Sequence, residues 1–289
     1  MTRCLVTGHL GYIGSKLFKR LKELDHEVLG IDFKNDSKYD INNCLKEDED
    51  GMFHPHYWNF KPEVIFHLAC IPRVAYSVEN PVETMQNNVL STTRVLNFAR
   101  KVGTKRVVYS GSSSVVGNGD GPNSPYGLQK LISEMECKLY SDLYGLDTVT
   151  LRYFNVYSED QEAEGPYATA IANWMKHIKI KKNPFITGNG EQRRDMAYVQ
   201  DVVEANIFAM NYEKDFKGKH YDVGTGSNVS LNEINDIVLK YHNVKFDYIE
   251  ERKGDVMLTK ANMEPLKLLG FEPKTDLIHG INKCFKEIK

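Results

Sequence analysis

Long apolar runs are missing from this 289-residue sequence, and so are internal repeats, low-complexity tracts and any marked excess of one charge. No apolar stretch approaches the roughly 20 residues that a membrane-crossing helix needs. A net charge of −2 offers neither nucleic acid nor an anionic membrane a basic surface, so neither is expected as a partner. The five cysteines (Cys4, Cys44, Cys70, Cys137 and Cys284) are scattered and contain no CxxC pair. That pattern speaks against a disulfide framework and against a zinc site. It favours free thiols in a reducing, cytoplasmic compartment. His54 and His56 flank Pro55 without a third ligand in the pattern, so no metal is expected. The first residues lead straight into a strand pattern rather than an apolar leader core, which agrees with a cytoplasmic location.

What is present is an alternation. Short runs rich in β-branched residues fall at 4–7, 27–31, 64–68, 106–110 and 148–151, separated by helical patterns at 15–24, 84–102 and 126–144. Strands alternating with helices imply βαβ units, hence an α/β fold with a parallel sheet covered on both faces. After about residue 157 the elements become shorter and turns more frequent, as in a smaller appended region. The charge runs at 47–50 and 176–182 read as solvated surface.

The first motif is Thr7-Gly8-His9-Leu10-Gly11-Tyr12-Ile13-Gly14, which follows the first strand and opens the first helix. In that context a glycine turn lets backbone N–H groups and the positive helix end approach a pyrophosphate. Asp32 ends the second strand, where a carboxylate accepts both hydroxyls of an adenosine ribose and repels a 2′-phosphate. The pair points to NAD rather than NADP.

A second group carries chemistry. Ser124-Pro125-Tyr126 has the form of a helix start, with Ser124 as N-cap and Pro125 in the first turn. Tyr126 and Lys130 are four positions apart, so they share one helix face. A free phenol is too weak an acid to act as a base near neutrality. An adjacent ammonium and a positively charged nicotinamide ring both favour the phenolate. The 106–110 strand delivers Ser112 to the carboxyl end of the sheet, within reach of the same substrate oxygen.

The ordered set of TGHLGYIG, Asp32, HLAC at 67–70, SGSSSVVG at 110–117, SPYGLQK at 124–130, LRYFNVY at 151–157, GNGEQRRDMAYVQDVVEA at 188–205, YDVGTGSNVSL at 221–231 and ERKGDV at 251–256 resembles the extended short-chain dehydrogenase/reductases, close to UDP-sugar 4-epimerases. The resemblance covers nearly the whole chain. It implies a doubly wound Rossmann domain (1–157 with 195–225) and a smaller C-terminal α/β nucleotide-sugar domain (158–194 with 226–289). It also implies a homodimer joined through the helices near 84–101 and 126–144. For NAD, it implies Gly8, Gly11 and Gly14, with Tyr12 and Ile13, at the pyrophosphate and Asp32 at the ribose. Asp40 and Ile41 would lie against adenine, Leu68, Ala69 and Asn88 along the cofactor, and Lys130 on the nicotinamide ribose and Tyr126. Ser112, Tyr126 and Lys130 are the implied catalytic residues. Asn155, Arg194, Arg252 and Asp255 would hold the UDP portion, and Thr259 would face the sugar.

Dehydratase relatives carry Thr-Asp-Glu where this chain has Ser112-Ser113-Ser114, and decarboxylases keep a Glu at the third position. Ser114 supplies neither acid, so the resemblance implies hydride chemistry without elimination: 4-epimerisation of a UDP-sugar through a 4-keto form. A small Thr259 leaves room for N-acetylhexosamines or hexuronic acids as well as UDP-glucose and UDP-galactose, and the stretch from Gly165-Pro166-Tyr167-Ala168 to Asp195 is similar to the N-acetylhexosamine group. Two alternatives stay open: a nucleotide-sugar reductase or dehydrogenase with net redox change, and a non-catalytic NAD-binding regulator. Two departures stand out. Val116 replaces the usual Tyr of a VYG sequence, and Gly117 lies nine positions before Tyr126, a short loop for this family.

Overall fold

The structure is a computed structural model that describes residues 1–33, 40–72, 74–161, 163, 169–251 and 256–288. Six parallel strands form the central sheet: β1 (Arg3–Thr7), β2 (Glu27–Ile31), β3 (Val64–His67), β4 (Arg106–Ser112), β5 (Asp147–Tyr153) and, beyond β6 (Phe185–Thr187) and β7 (Arg193–Arg194), β8 (Lys219–Val223). Their spatial order is β2-β1-β3-β4-β5-β8. The chain therefore leaves β1 toward β2, crosses back, and continues on the other side through β3. Ligands of open α/β sheets bind in the crevice such a reversal opens at the carboxyl ends of the strands.

The strands bury both faces, as a parallel sheet must. Cys4, Val6, Phe66, Val108, Val149 and Leu151 face one side, packed with Leu17, Leu21, Val202 and Val203. Leu5, Ile65, Val107 and Tyr109 face the other, packed with Val95, Phe98, Ala99 and Cys137. Helix α1 (Tyr12–Glu23) earns its place through Gly14, Leu17 and Leu21, which recur at helical spacing and are buried; each leucine contributes about 2 kcal/mol. Short helices α2 (Ile41–Cys44), α3 (Pro55–Phe60) and α4 (Val74–Glu79) follow.

The expected 84–102 helix is interrupted. It comprises α5 (Pro81–Met85), a π-helical turn over Gln86–Leu90, and α6 (Ser91–Val102), which stops at left-handed Gly103. Helix α7 (Pro125–Tyr144) begins as the sequence implies. The Ser124 hydroxyl accepts the Gly127 N–H, proline occupies the first turn, and Gly145 ends the helix in a left-handed conformation.

A separate apolar cluster gathers Tyr157, Trp174, Met175, Ile186, Val229, Ile234, Val238, Ile281 and Phe285. It is built from α8 (Ala170–Lys179), β6, α10 (Leu231–Leu239) and α12 (Leu277–Lys286), with β9 (Val229–Ser230) and β10 (Asp247–Ile249) completing that region, whereas α11 (Glu264–Lys267) sets Leu266 into the apolar cluster of the sheet. Between its pieces the chain returns to the sheet as α9 (Val199–Asn211) and β8. A buried ion pair secures that return. Arg106 holds Asp147 at 2.6 Å and also donates to the carbonyl of Ala209 in the last turn of α9 and to those of Tyr212 and Lys214 just past it. Asp147 in turn accepts the N–H groups of Phe216 and Lys217. Among the described residues no helix is long and apolar enough to cross a membrane.

Candidate active site

The glycine turn sits at the reversal point of the sheet. Gly8 has φ 74°, and a Cβ there would lie 2.8 Å from the Ala69 nitrogen; a Cβ on Gly14 would lie 2.0 Å from the Gly8 carbonyl oxygen. Only glycine allows this approach between the turn, the helix start and the 68–69 backbone. Helix α1 carries no side-chain N-cap bond and no acidic residue in its first turn, which suits its amides to an anion. Asp32, almost fully buried, accepts the Leu10 N–H at 2.9 Å. Its carboxylate is thereby fixed at the rim of the crevice. The Tyr12 hydroxyl turns away to Ser158, 2.5 Å distant, so its own side chain braces the loop after β5. Ile13 packs into the core. The residues thus fit a dinucleotide: a tight glycine cradle, an uncapped helix end and a carboxylate one strand away.

Asp40 N-caps α2 by accepting the Asn42 N–H, and Ile41 is buried at the start of that helix. Asn88 occupies the π turn, where its side-chain oxygen accepts the Ile71 N–H at 2.7 Å. It is 2% exposed, so it acts on the 68–71 segment through that segment's backbone.

Ser112, Tyr126 and Lys130 come together at the carboxyl end of β4. The Tyr126 phenol is hydrogen-bonded to Ser112, whose hydroxyl also caps the short turn at Ser113–Val115. Lys130 Nζ donates to the Ser110 carbonyl at 2.8 Å and lies 5.9 Å from the Tyr126 ring centre. Burial outweighs the downward pull of the Lys130 ammonium and the Ser112 hydrogen bond, and the phenol is pushed up to about 12. Burial alone would lower the Lys130 pKa, but Cys70 and Tyr126 outweigh it and the net direction is upward. A lysine this firmly protonated is a fixed positive charge beside the phenol. The Tyr126 N–H is held by the Ser77 hydroxyl of α4 at 3.0 Å.

The other wall carries the residues read as UDP contacts. Asn155, at φ 37°, turns its amide to the Asp195 carbonyl at 2.6 Å and to Thr259 Oγ1 at 3.3 Å. Arg194 lies on β7, paired with Val229 of β9. Its neighbour Arg193 is bound to Asn228 and Glu233 and is a framework residue. Asp195 is wholly buried, and its carboxylate accepts N–H groups from Thr225, Gly226 and Ala261 and the Thr225 hydroxyl. It binds the end of β8 and the 259–261 segment into one wall. Arg252, Asp255 and the 165–168 stretch lie outside the described residues.

Three features escaped the sequence reading. Cys70 stands beside both Tyr126 and Lys130 and accepts a hydrogen bond from the lysine. The His9 ring occupies space above Gly30, where a Cβ would lie 2.4 Å from it. The shortened loop before α7 is closed on itself by a bridge between Gly117 and Gly121. A glycine inside β2 hinted at the second and the short spacing from Gly117 to Tyr126 at the third; nothing local announced the first.

Comparison with known proteins agrees with this geometry. The profile of the NAD dependent epimerase/dehydratase family matches residues 4–224. A putative UDP-glucose 4-epimerase of Methanocaldococcus jannaschii is 34% identical over 99% of this chain and 98% of its own length. Among solved structures, the UDP-glucose 4-epimerase of Thermotoga maritima, with UDP-glucose, has a TM-score of 0.86 at 29% identity, covering 99% of this chain and 98% of that one. The UDP-N-acetylglucosamine 4-epimerase of Methanobrevibacter ruminantium, in complex with UDP-N-acetylmuramic acid, has a TM-score of 0.85 at 28% identity, covering 99% and 97%. With a profile across most of the chain and relatives matching it almost end to end, this protein belongs to the NAD dependent epimerase/dehydratase family.

Proposed function

We propose that this chain is an NAD-dependent enzyme that epimerises a UDP-sugar at C4 through a 4-keto sugar. The observation that carries the reading is the buried cluster of Tyr126, Ser112 and Lys130 facing the glycine crevice. Bound NAD supplies a reversible hydride acceptor for sugar C4. Tyr126 takes the 4-hydroxyl proton and later returns it, Ser112 holds the same oxygen, and the Lys130 ammonium opposes the rise in the phenol's pKa that burial imposes. Gly8, Gly11, Gly14 and the amides of Tyr12 and Ile13 hold the pyrophosphate, Asp32 the ribose, and Asp40, Ile41, Leu68, Ala69 and Asn88 shape the rest of the cofactor site. Asn155, Arg194 and Thr259, with Arg252 and Asp255, hold the nucleotide sugar. Guanidinium forks suit the diphosphate, and a diphosphate anchor lets the sugar reorient between hydride transfers.

In the same reading, residues 1–157 with 195–225 form the cofactor domain and 158–194 with 226–289 the nucleotide-sugar domain; the separate apolar cluster supports that division for α8, α10 and α12, while Ala261, Met263, Leu266 and Phe271 pack with the sheet. A cytoplasmic location accords with five cysteines that form no disulfide among the described residues. The chain pairs as a homodimer through α6 and α7. Leu128, Met135, Leu139 and Leu143 form an exposed apolar stripe along α7, of the kind that marks an interface. Leu139→Glu is expected to halve the mass measured by light scattering; an unchanged mass would remove this face from the interface.

The reaction is tested by incubating the protein, without added NAD, with UDP-glucose, UDP-N-acetylglucosamine and UDP-glucuronate separately, and resolving 4-epimers by NMR. Interconversion of one pair to equilibrium is expected. Net oxidation or reduction that consumes added cofactor would replace the epimerase reading with a dehydrogenase, and no conversion with any sugar would defeat both.

A further inference from the structure

Beneath the crevice, a chain of buried polar side chains runs from β1 to α7, outside the catalytic roles assigned above. The Thr7 hydroxyl lies 2.7 Å from His67 Nδ1, and His67 Nε2 lies 3.0 Å from Thr92 Oγ1. The Thr92 hydroxyl donates to the Asn88 carbonyl at 2.8 Å. The Asn88 side-chain amide donates to Gln129 Oε1 at 2.8 Å, and the Gln129 amide to the Thr84 hydroxyl at 2.9 Å. None of these six residues is more than 2% exposed.

The donors and acceptors fix one tautomer. Thr92 spends its proton on Asn88, so it accepts from Nε2–H. Thr7 accepts the Ala69 N–H at 3.2 Å, so its own proton goes to an unprotonated Nδ1. Burial, reinforced by the Lys130 ammonium, pushes the His67 pKa down to about 3, so the ring stays neutral. The π turn completes the arrangement. A wider turn shifts the Asn88 carbonyl out of α-helical register, and it accepts hydroxyls from both Thr92 and Ser133. The Asn88 side chain meanwhile grips both backbone groups of Ile71.

We propose that His67 is a positioning residue of the active site. Through Thr7 it fixes the 68–69 backbone against Gly8. Through Thr92 and Asn88 it fixes the 70–71 loop and α7. The cofactor turn and the Tyr126–Lys130 helix are thereby held in one register. The inference rests on the proposed function for its turnover readout alone; its binding readout is NAD affinity.

Thr92 gives the cleanest test. Thr92→Val keeps the volume and removes the hydroxyl, leaving His67 Nε2–H without an acceptor; Thr92→Ser keeps the hydroxyl and loses a methyl group. NAD affinity is measured by calorimetric titration, and kcat and KM with whichever UDP-sugar the wild type interconverts. Thr92→Val is expected to weaken NAD binding and lower kcat by about tenfold each, with KM for the sugar unchanged. Thr92→Ser is expected to stay within about twofold of wild type. A role confined to packing gives the reverse ranking, and that ranking, or a Thr92→Val protein equal to wild type in both quantities, overturns the proposal. If Thr92→Val does not fold, His67→Gln, which retains a donor toward Thr92 but not the ring's acceptor toward Thr7, is read by the same two quantities: tenfold losses support the proposal and wild-type values overturn it. A wild type that binds NAD but converts no UDP-sugar defeats the function proposed above, while the affinity ranking still decides this one.

Discussion

Tyr126→Phe is expected to fold, to bind the UDP-sugar as wild type does, and to lose turnover by a factor of about 10³. The substitution deletes one hydroxyl and leaves the ring and the Tyr126 N–H bond to Ser77 in place. An NMR time course of epimer formation, beside a melting curve, measures both halves of the expectation. Turnover close to wild type would remove Tyr126 from the role of base. The pH dependence carries a definite sign. In the proposed mechanism the working form is the phenolate; burial raises the phenol's pKa, and Lys130 opposes that rise. Lys130→Met therefore removes a lowering influence, reduces the deprotonated fraction at any pH below the pKa, and moves the rise of kcat to higher pH. A pH–rate profile that keeps its position would mean that the lysine does not tune the phenol.

The second large effect concerns stability. Asp195→Ala is expected to cost about 3 kcal/mol, because it leaves the buried N–H of Ala261 and the half-buried N–H groups of Thr225 and Gly226 without their shared acceptor. Chemical denaturation of wild type and mutant measures this directly. A loss below about 1 kcal/mol would mean that water or a neighbouring carbonyl takes over the three donors. The damage should also reach binding. Asn155, Asp195 and Thr259 are mutually hydrogen-bonded, so the wall proposed to hold the nucleotide sugar loosens with the carboxylate, and KM for the UDP-sugar rises.

The contrast between these residues shows what a linear sequence exposes. Gly8, Gly14 and Asp32 were readable because a turn between a strand and a helix restricts residue type locally. Tyr126 and Lys130 were readable because four positions on a helix is one turn. Asp195 was not. It looks like any acid beside two arginines, and its burial depends on the 225–226 and 259–261 segments folding over it. The two arginines are equally ambiguous in sequence; β7 gives Arg193 to Glu233 of α10 and leaves Arg194 on the next position of the strand. The π turn at 86–90 was missed because one extra residue per turn leaves the apolar periodicity on either side nearly intact. The Thr7–His67–Thr92 chain joins positions 60 and 25 residues apart, and no local pattern registers contacts at that range.

The interleaving of the sheet with the second apolar cluster has a consequence for how the protein can be divided. The chain leaves the sheet after β5, builds part of the other cluster, comes back as α9 and β8, and departs again. No single cut separates two self-sufficient pieces. A fragment ending at residue 157 would lack β8, which pairs with β5 from Val149 to Tyr153. It would present that strand as a bare apolar edge, ready to pair with another copy. It would also strand the Arg106 guanidinium without the carbonyls at and beyond the end of α9 that surround it. Sequence exchange between relatives by simple end-to-end recombination is therefore closed to this architecture. New sugar specificities must arise by replacing side chains or loops inside an intact chain.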